Sequence, residues 1–208
     1  MIENAVYFDH HFESDINLAV DRLKTSAYDI EKARNTALTI SHYCSFLGKT
    51  VLDIGCGVGY FLDTVRTQGA TVFGLDASSR TVAMADQLFG INVIRGWFPE
   101  DFIGSSYSVD IVTFNDLFEH LESPREALDL ARRWLRPKGT LVIRTPNIAR
   151  VDRQKAAAWR LLQPQDHLFY YSQPTLRQLL VSSGFEVIEV IENEWLLAIA
   201  RCGGPTVV

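Results

Sequence analysis

The chain has 208 residues, of which 47% are hydrophobic and 22% charged, and its formal net charge at pH 7 is −5. These proportions are typical of one folded globular domain. The negative charge, without any block of Lys and Arg, excludes nucleic acid or a membrane surface as a partner bound through a basic field. The three cysteines are widely spaced and odd in number. With no leader sequence at the N-terminus and no long apolar segment, they predict reduced thiols in a cytoplasmic protein.

In chain order, residues 1–28 combine aromatic side chains with a weak helical pattern and are predicted to form a flap or lid. From Asp29 to Phe46 apolar side chains recur at helical spacing, which predicts a helix with Asp29 as its N-cap. A stronger helix signal lies at 123–136, with Ser123 as the N-cap and Pro137-Lys-Gly139 as the stop. Five short apolar runs predict strands at 50–54, 71–76, 91–95, 109–114 and 140–145.

The alternation of strands and helices predicts βαβ units, and therefore a mostly parallel, doubly wound sheet covered on both faces. Two last apolar runs, 185–191 and 195–200, predict an antiparallel hairpin that closes the sheet. The predicted single domain, 1–208, divides into the flap, a cofactor-binding core at 29–147, an acceptor-side insertion at 148–170, and a closing helix and hairpin at 171–208.

The first strand runs directly into a glycine loop, Asp53-Ile-Gly55-Cys-Gly57-Val-Gly59, and a helical pattern follows at once. Glycine suits such a turn because a positive φ costs nothing there and no Cβ blocks the approach of a ligand. A dinucleotide-binding loop would need glycine at the position of Tyr60, and a phosphate loop would need Gly-Lys-Ser/Thr. The loop matches neither pattern.

Two carboxylates narrow the choice of ligand. Asp53, under the loop, would repel a pyrophosphate but suits a ligand with an ammonium and a sulfonium group. Asp76, at the end of the second strand, can accept hydrogen bonds from both ribose hydroxyls of an adenosine. An adenosine with a cationic amino-acid tail is S-adenosyl-L-methionine, which is therefore the predicted cofactor, with S-adenosyl-L-homocysteine as its product.

The glycine loop resembles motif I of the class I S-adenosylmethionine-dependent methyltransferases. Later segments resemble the subgroup that contains the ubiquinone-biosynthesis O-methyltransferases and many small-molecule and sugar methyltransferases. They are Asn115-Asp-Leu-Phe-Glu-His-Leu-Glu-Ser-Pro124, Leu135-Arg-Pro-Lys-Gly-Thr-Leu141, Thr145-Pro-Asn147 and Asp166-His-Leu-Phe-Tyr-Tyr-Ser172. The resemblance implies a Rossmann-like, three-layer α/β/α fold whose seven-stranded sheet has the order 3-2-1-4-5-7-6, with strand 7 antiparallel.

The resemblance also implies the cofactor contacts. The methionine part would meet Asp53, Gly55, Cys56 and Gly57, and Asp76 would hold the ribose. Adenine would lie between Ala77 and Phe98, and Asn115 would lie beneath the sulfonium.

The chain departs from the family after the third strand. There the family often has Gly-Asp, with the acid reading the adenine amino group, whereas Gly96 is followed here by Trp97. Either an aromatic wall replaces that hydrogen bond, or Glu100 or Asp101 supplies it.

Methyl transfer is an in-line displacement at a carbon activated by the sulfonium, and a hydroxyl acceptor benefits from a general base. His120 follows the fourth strand at the edge where ligands bind in such sheets, and related enzymes have a histidine beside the acceptor there. It is our first candidate for the base, against a structural histidine bonded to the loop backbone. His167 could line the acceptor pocket or pack at a helix start. Asn147 could touch the acceptor or the cofactor, or form a turn. Asp116 could assist a base, but we favour a loop cap.

Other residues give weaker signals. His10 and His11 are adjacent and lack an accompanying acid or cysteine cluster, so we predict no metal. Tyr7, Phe8 and Trp159 could form an aromatic lid or simply pack. The basic residues of the insertion could recognise an acidic acceptor or form a solvated helix face; they are Arg150, Arg153, Lys155 and Arg160.

The sequence therefore predicts a methyltransferase, a monomer or a homodimer, that acts on a small-molecule hydroxyl. Three alternatives remain. One is an N-methyltransferase that acts on an amino sugar, and another is a catalytically silent regulatory protein that binds the cofactor. The third, a nicotinamide-dependent oxidoreductase, is disfavoured by Tyr60 and Asp53.

Overall fold

A computed structural model describes residues 26–151, 161–163 and 165–203. Its seven strands are β1 Thr50–Ile54, β2 Thr71–Asp76, β3 Val93–Arg95, β4 Val109–Asn115, β5 Leu135–Pro146, β6 Phe185–Glu192 and β7 Trp195–Cys202. The α-helices of the described residues are α1 Ala27–Ser41, α2 Tyr60–Arg66, α3 Ser79–Phe89, α4 Pro124–Trp134 and α5 Gln173–Ser182.

The strands form one sheet in the order β3-β2-β1-β4-β5-β7-β6. Strand β7 runs antiparallel to both β5 and β6. This confirms the predicted sheet order and the closing hairpin. No helix in the described ranges is both long and apolar enough to cross a membrane.

By its internal contacts the chain divides after Phe102 into two compact units. In the first unit, β1 pairs with β2 and β2 with β3, all parallel. An apolar cluster of Cys56, Leu62, Ala85, Ile91 and Val93 packs beside these strands. Gly74 is required in β2 because a Cβ there would lie 2.5 Å from the Cys56 sulfur. The close packing of the glycine loop against β2 therefore requires glycine at position 74.

In the second unit, β4 pairs in parallel with β5, and β5 pairs with β7. Helix α4 buries Leu128 and Trp134 almost completely. The indole of Trp134 donates a hydrogen bond to the Ser105 carbonyl at 3.2 Å, so its one polar atom is satisfied.

Helix α4 ends earlier than the sequence predicts. It stops at Trp134, and Leu135, Arg136 and Pro137 already belong to β5. Pro137 does end the helix, as predicted, but the helix stops before Arg136, because the backbone before a proline favours the extended conformation. Ser123 does occupy the N-cap position, but its side chain makes no capping hydrogen bond.

Helix α1 also differs from its prediction. Its N-cap is Ser26, whose hydroxyl accepts a hydrogen bond from the Asp29 amide at 3.4 Å, and the helix ends at Ser41. Asp29 instead lies in the first turn, where a carboxylate interacts favourably with the positive helix end. The predicted flap falls almost entirely outside the described residues, as do His10, His11 and Trp159.

Candidate active site

The glycine loop of the first unit is fastened to the end of β2. The amides of Gly55 and Cys56 both donate to the Leu75 carbonyl, at 2.8 and 3.1 Å. The Gly57 amide donates to Asp76 Oδ2 at 2.8 Å. These three amides therefore all donate within the protein, and they hold the loop against the end of β2.

Gly57 marks an open side of this loop. Its φ of 54° lies in the left-handed region, and a Cβ built there would meet nothing within 4 Å. A ligand could occupy that space against bare backbone.

The surroundings of Cys56 are negatively charged. Asp53 is buried beneath the loop, with 1% of its surface exposed. Burial raises the pKa of the Cys56 thiol well above its ordinary value, and the charges of Asp53 and Asp76 raise it further. The thiol therefore stays protonated and is no nucleophile. Two carboxylates near one loop suit a cationic ligand better than a phosphate.

Asp76 and Ala77 are both half-buried at the carboxyl end of β2. Ser78 follows as the N-cap of α3, and its hydroxyl accepts from the Thr81 amide at 3.3 Å. The Thr81 hydroxyl donates to Asp76 Oδ1 at 2.7 Å. The sequence analysis did not single out Thr81.

The segment after β3 places aromatic and acidic groups together. Phe98 is buried, whereas 38% of Trp97 is exposed. The Asp101 carboxylate accepts a hydrogen bond from the Trp97 amide at 2.8 Å. Asp101 therefore lies beside position 97, where the related enzymes often have their acid. Of Glu100 and Asp101, Asp101 is the acid that bonds to the backbone there.

In the second unit, Asn115 ends β4 and Asp116 follows with a left-handed φ of 57°. The Asp116 carboxylate pairs with the guanidinium of Arg144, which lies 3.7 Å from the centroid of the Trp195 ring. Asp116 thus fixes the turn after β4 through a long-range ion pair that sequence reasoning did not find.

His120 and His167 meet in this unit, with ring centroids 4.8 Å apart. Nδ1 of His120 lies 2.8 Å from the Asp166 carbonyl, and Nδ1 of His167 lies 3.0 Å from the Leu161 carbonyl. A carbonyl oxygen can only accept, so each Nδ1 carries the hydrogen and each Nε2 keeps its lone pair. Both rings are therefore bonded to loop backbone, and both still have a basic nitrogen.

Glu119 completes this group and was missed from the sequence. It is 1% exposed, and its Oε2 accepts from the Thr145 hydroxyl at 2.9 Å. Burial raises the pKa of Glu119 to about 8, with the charge of Asp116 adding to the effect. Burial lowers the pKa of His167, and the neighbouring His120 lowers it further. At neutral pH His167 is therefore a neutral imidazole.

Glu119, His120 and His167 also form a possible metal-ligand set. One ligand atom from each lies within 4.8 Å of the other two, the one such group in the stretches that the structure describes. Their chemistry fits a divalent cation, since two imidazoles and a carboxylate are common ligands and each ring is oriented by a backbone carbonyl.

Aromatic side chains border this group. Tyr171 packs against Phe118, with ring centroids 5.4 Å apart, and stacks on Phe169 at 6.2 Å. Phe169 is 39% exposed and Leu168 50% exposed. Asn147, in contrast, is fully buried, and both groups of its amide bond to backbone, at Asn193 and Ala149. This bonding favours the turn-forming interpretation of Asn147.

Comparison with known proteins identifies the class. A family model described as a methyltransferase domain matches residues 24–190. The chain therefore belongs to the methyltransferase-domain family, as a class I S-adenosylmethionine-dependent methyltransferase domain. S-adenosylmethionine is the cofactor of this class, in agreement with the prediction from the glycine loop.

Individual relatives and solved structures are similar to the chain over different lengths. It is 32% identical over 106 residues to the mitochondrial ubiquinone biosynthesis O-methyltransferase of Schizosaccharomyces pombe, covering 48% of this chain and 39% of that protein. The corresponding enzyme of Rhizobium leguminosarum is 27% identical over 173 residues, covering 73% of this chain and 67% of that protein. A methyltransferase structure from Aquifex aeolicus has a TM-score of 0.67 at 20% identity and covers 91% of this chain and all of that one. The chain spans less than half the length of several curated relatives that it matches.

Proposed function

We propose that the protein transfers a methyl group from S-adenosylmethionine to a hydroxyl of a small molecule, with His120 as the general base. The observation that carries this proposal is the bond from His120 Nδ1 to the Asp166 carbonyl, which leaves Nε2 basic on a half-buried ring. An imidazole nitrogen that accepts a proton is a common general base for a hydroxyl acceptor.

In the proposed step, the acceptor oxygen forms a bond to the methyl carbon as the carbon–sulfur bond breaks. The electron pair of that bond stays on sulfur and gives S-adenosylhomocysteine. The hydroxyl proton passes to His120 Nε2. Because His167 is neutral and Glu119 is protonated, the positive charge that forms on His120 is the one charge among these three side chains.

For the cofactor we propose the contacts implied by the family. Asp53, Gly55, Cys56 and Gly57 would enclose the methionine part, and Asp76 would bind the ribose. Ala77 and Phe98 would flank adenine, and Asn115 would lie near the sulfonium. Support comes from the buried negative charge at Asp53 and the open space at Gly57.

A second mechanism is favoured by the mutual distances of Glu119, His120 and His167. A divalent cation held by these three groups would lower the pKa of an acceptor hydroxyl directly. His120 would then be a ligand and not a base.

Two measurements test the cofactor and the acceptor. Calorimetric titration with S-adenosylhomocysteine and with NAD tests the cofactor. Tight binding of NAD alone would contradict the assignment of S-adenosylmethionine. Transfer of labelled methyl to a panel of catechols, sugars, amino sugars and carboxylic acids tests the acceptor. Cofactor binding without turnover of any of these would favour the regulatory alternative, and methylation of the amino sugar alone would favour N-methylation.

The choice between base and metal needs its own measurement. The protein is stripped with EDTA, its metal content is measured by mass spectrometry, and turnover is compared with and without Mg²⁺, Mn²⁺ or Zn²⁺. Full activity of the metal-free protein supports the base. Activity that requires an added cation supports the metal.

A further inference from the structure

The carboxylate of Asp76 is held from three places in the first unit. Its Oδ1 accepts from the Ser78 amide at 3.0 Å and from the Thr81 hydroxyl at 2.7 Å. Its Oδ2 accepts from the Gly57 amide at 2.8 Å. The glycine loop, the start of α3 and a buried hydroxyl therefore all converge on one side chain.

The Thr81 hydroxyl has a single hydrogen and two acceptors within reach. The Ser78 carbonyl lies 3.0 Å away, farther than Asp76 Oδ1. The shorter contact is also assisted by the charge of the carboxylate, so the hydrogen belongs to Asp76. Thr81 is itself 8% exposed, and water does not compete strongly for it.

An ionised carboxylate has about four acceptor positions, two on each oxygen. Ser78 and Thr81 fill both positions on Oδ1, and Gly57 fills one of those on Oδ2. We propose that Thr81 is a positioning residue that limits Asp76 to one hydrogen bond with the ribose of the cofactor, accepted by Oδ2. This inference rests on the proposed role of Asp76 as the ribose-binding residue.

The consequence is an asymmetric reading of the two ribose hydroxyls. One hydroxyl finds the remaining position on Oδ2, and the other receives no bond from this carboxylate. Removing the first should weaken binding strongly, and removing the second should weaken it little.

The test is calorimetric titration of the protein with S-adenosylhomocysteine and with its 2′-deoxy and 3′-deoxy analogues. We expect one analogue to bind about tenfold more weakly than the parent compound and the other to lose less than about threefold. Equal losses for the two analogues, or no loss for either, would overturn the proposal.

Thr81→Ala removes the hydroxyl together with the volume it fills and opens a position on Oδ1. The affinities of the two analogues should then come within about threefold of each other. Thr81→Ser keeps the hydroxyl and should keep the asymmetry. A Thr81→Ala protein with the wild-type asymmetry would contradict the role of Thr81. If that variant does not fold, equal losses for the two analogues in the wild type would still contradict the proposal.

Two controls separate the possible failures. Thr64→Ala removes a hydroxyl that donates to the Tyr60 carbonyl at 2.9 Å in α2, and it should leave the asymmetry unchanged. Asp76→Asn should weaken S-adenosylhomocysteine binding. If Asp76→Asn binds with wild-type affinity, the proposed ribose site fails, a result distinct from a failure of Thr81 alone.

Discussion

Thr145 and Glu119 are joined by a 2.9 Å hydrogen bond in which both side chains are buried, the hydroxyl donating to the carboxyl. Thr145 lies on β5 and Glu119 follows β4, so the bond ties the ends of two parallel strands. The bond lowers the pKa of Glu119, but burial outweighs it and holds that pKa near 8.

The first prediction concerns pH. Because the folded-state pKa of Glu119 is raised, its stabilising effect is full below the unfolded value and is lost as pH rises through about 8. Between pH 5 and 9 the wild type should lose unfolding free energy relative to Glu119→Gln, by at most about 5 kcal/mol. Urea denaturation at several pH values measures the difference. Glu186→Gln, at an exposed position, should show no such trend.

The second prediction concerns the base. His120→Ala should reduce methyl transfer by about 10²–10⁴-fold while S-adenosylhomocysteine affinity stays within about threefold, because the ring acts on the acceptor proton. His42→Ala is the matched control, since this exposed ring also bonds to a backbone carbonyl, that of Leu38. Unchanged turnover in His120→Ala would remove His120 from the mechanism.

The third prediction compares two ion pairs. Arg144→Met removes the guanidinium, 10% exposed, from its ion pair with Asp116 and should lower the free energy of unfolding by about 2–4 kcal/mol. Arg136→Met breaks the pair between Arg136, which is 45% exposed, and Asp110. This change should lower the free energy of unfolding by less than about 1 kcal/mol. Chemical denaturation of both variants checks the contrast. Equal losses would mean that burial does not distinguish the pairs.

The fourth prediction uses two glycines with similar backbones. Gly57 and Gly90 have φ values of 54° and 60°, and a Cβ on either would meet nothing within 4 Å. Alanine at each should cost about 1 kcal/mol of stability through the left-handed backbone. Only Gly57→Ala should also weaken S-adenosylhomocysteine binding, by about tenfold or more, because its methyl group enters the space proposed for the cofactor. Equal affinities of the two variants would place the cofactor elsewhere.

The sheet was predictable from the sequence because its signals are local. Each buried strand is a short apolar run, and the glycine loop sits at a fixed offset from the first one. The helix ends were less predictable, since Ser26 and Asp29 both have capping side chains and only the folded chain selects Ser26.

The proposed catalytic group was half predictable. His120 and His167 are conspicuous by residue type, but Glu119 looks like any charged residue in a polar loop. Its raised pKa comes from burial, and its hydrogen-bond partner Thr145 lies 26 positions away in the sequence. The same holds for Arg144, whose partners Asp116 and Trp195 are remote in sequence.

The fastening of the Gly55 and Cys56 amides to the Leu75 carbonyl also has a thermodynamic consequence. A loop already closed on the neighbouring strand has little conformational entropy left to lose when a ligand arrives. Cofactor binding should therefore require little ordering of the loop, and the heat-capacity change of association should reflect the apolar surface that the ligand and its site bury against each other.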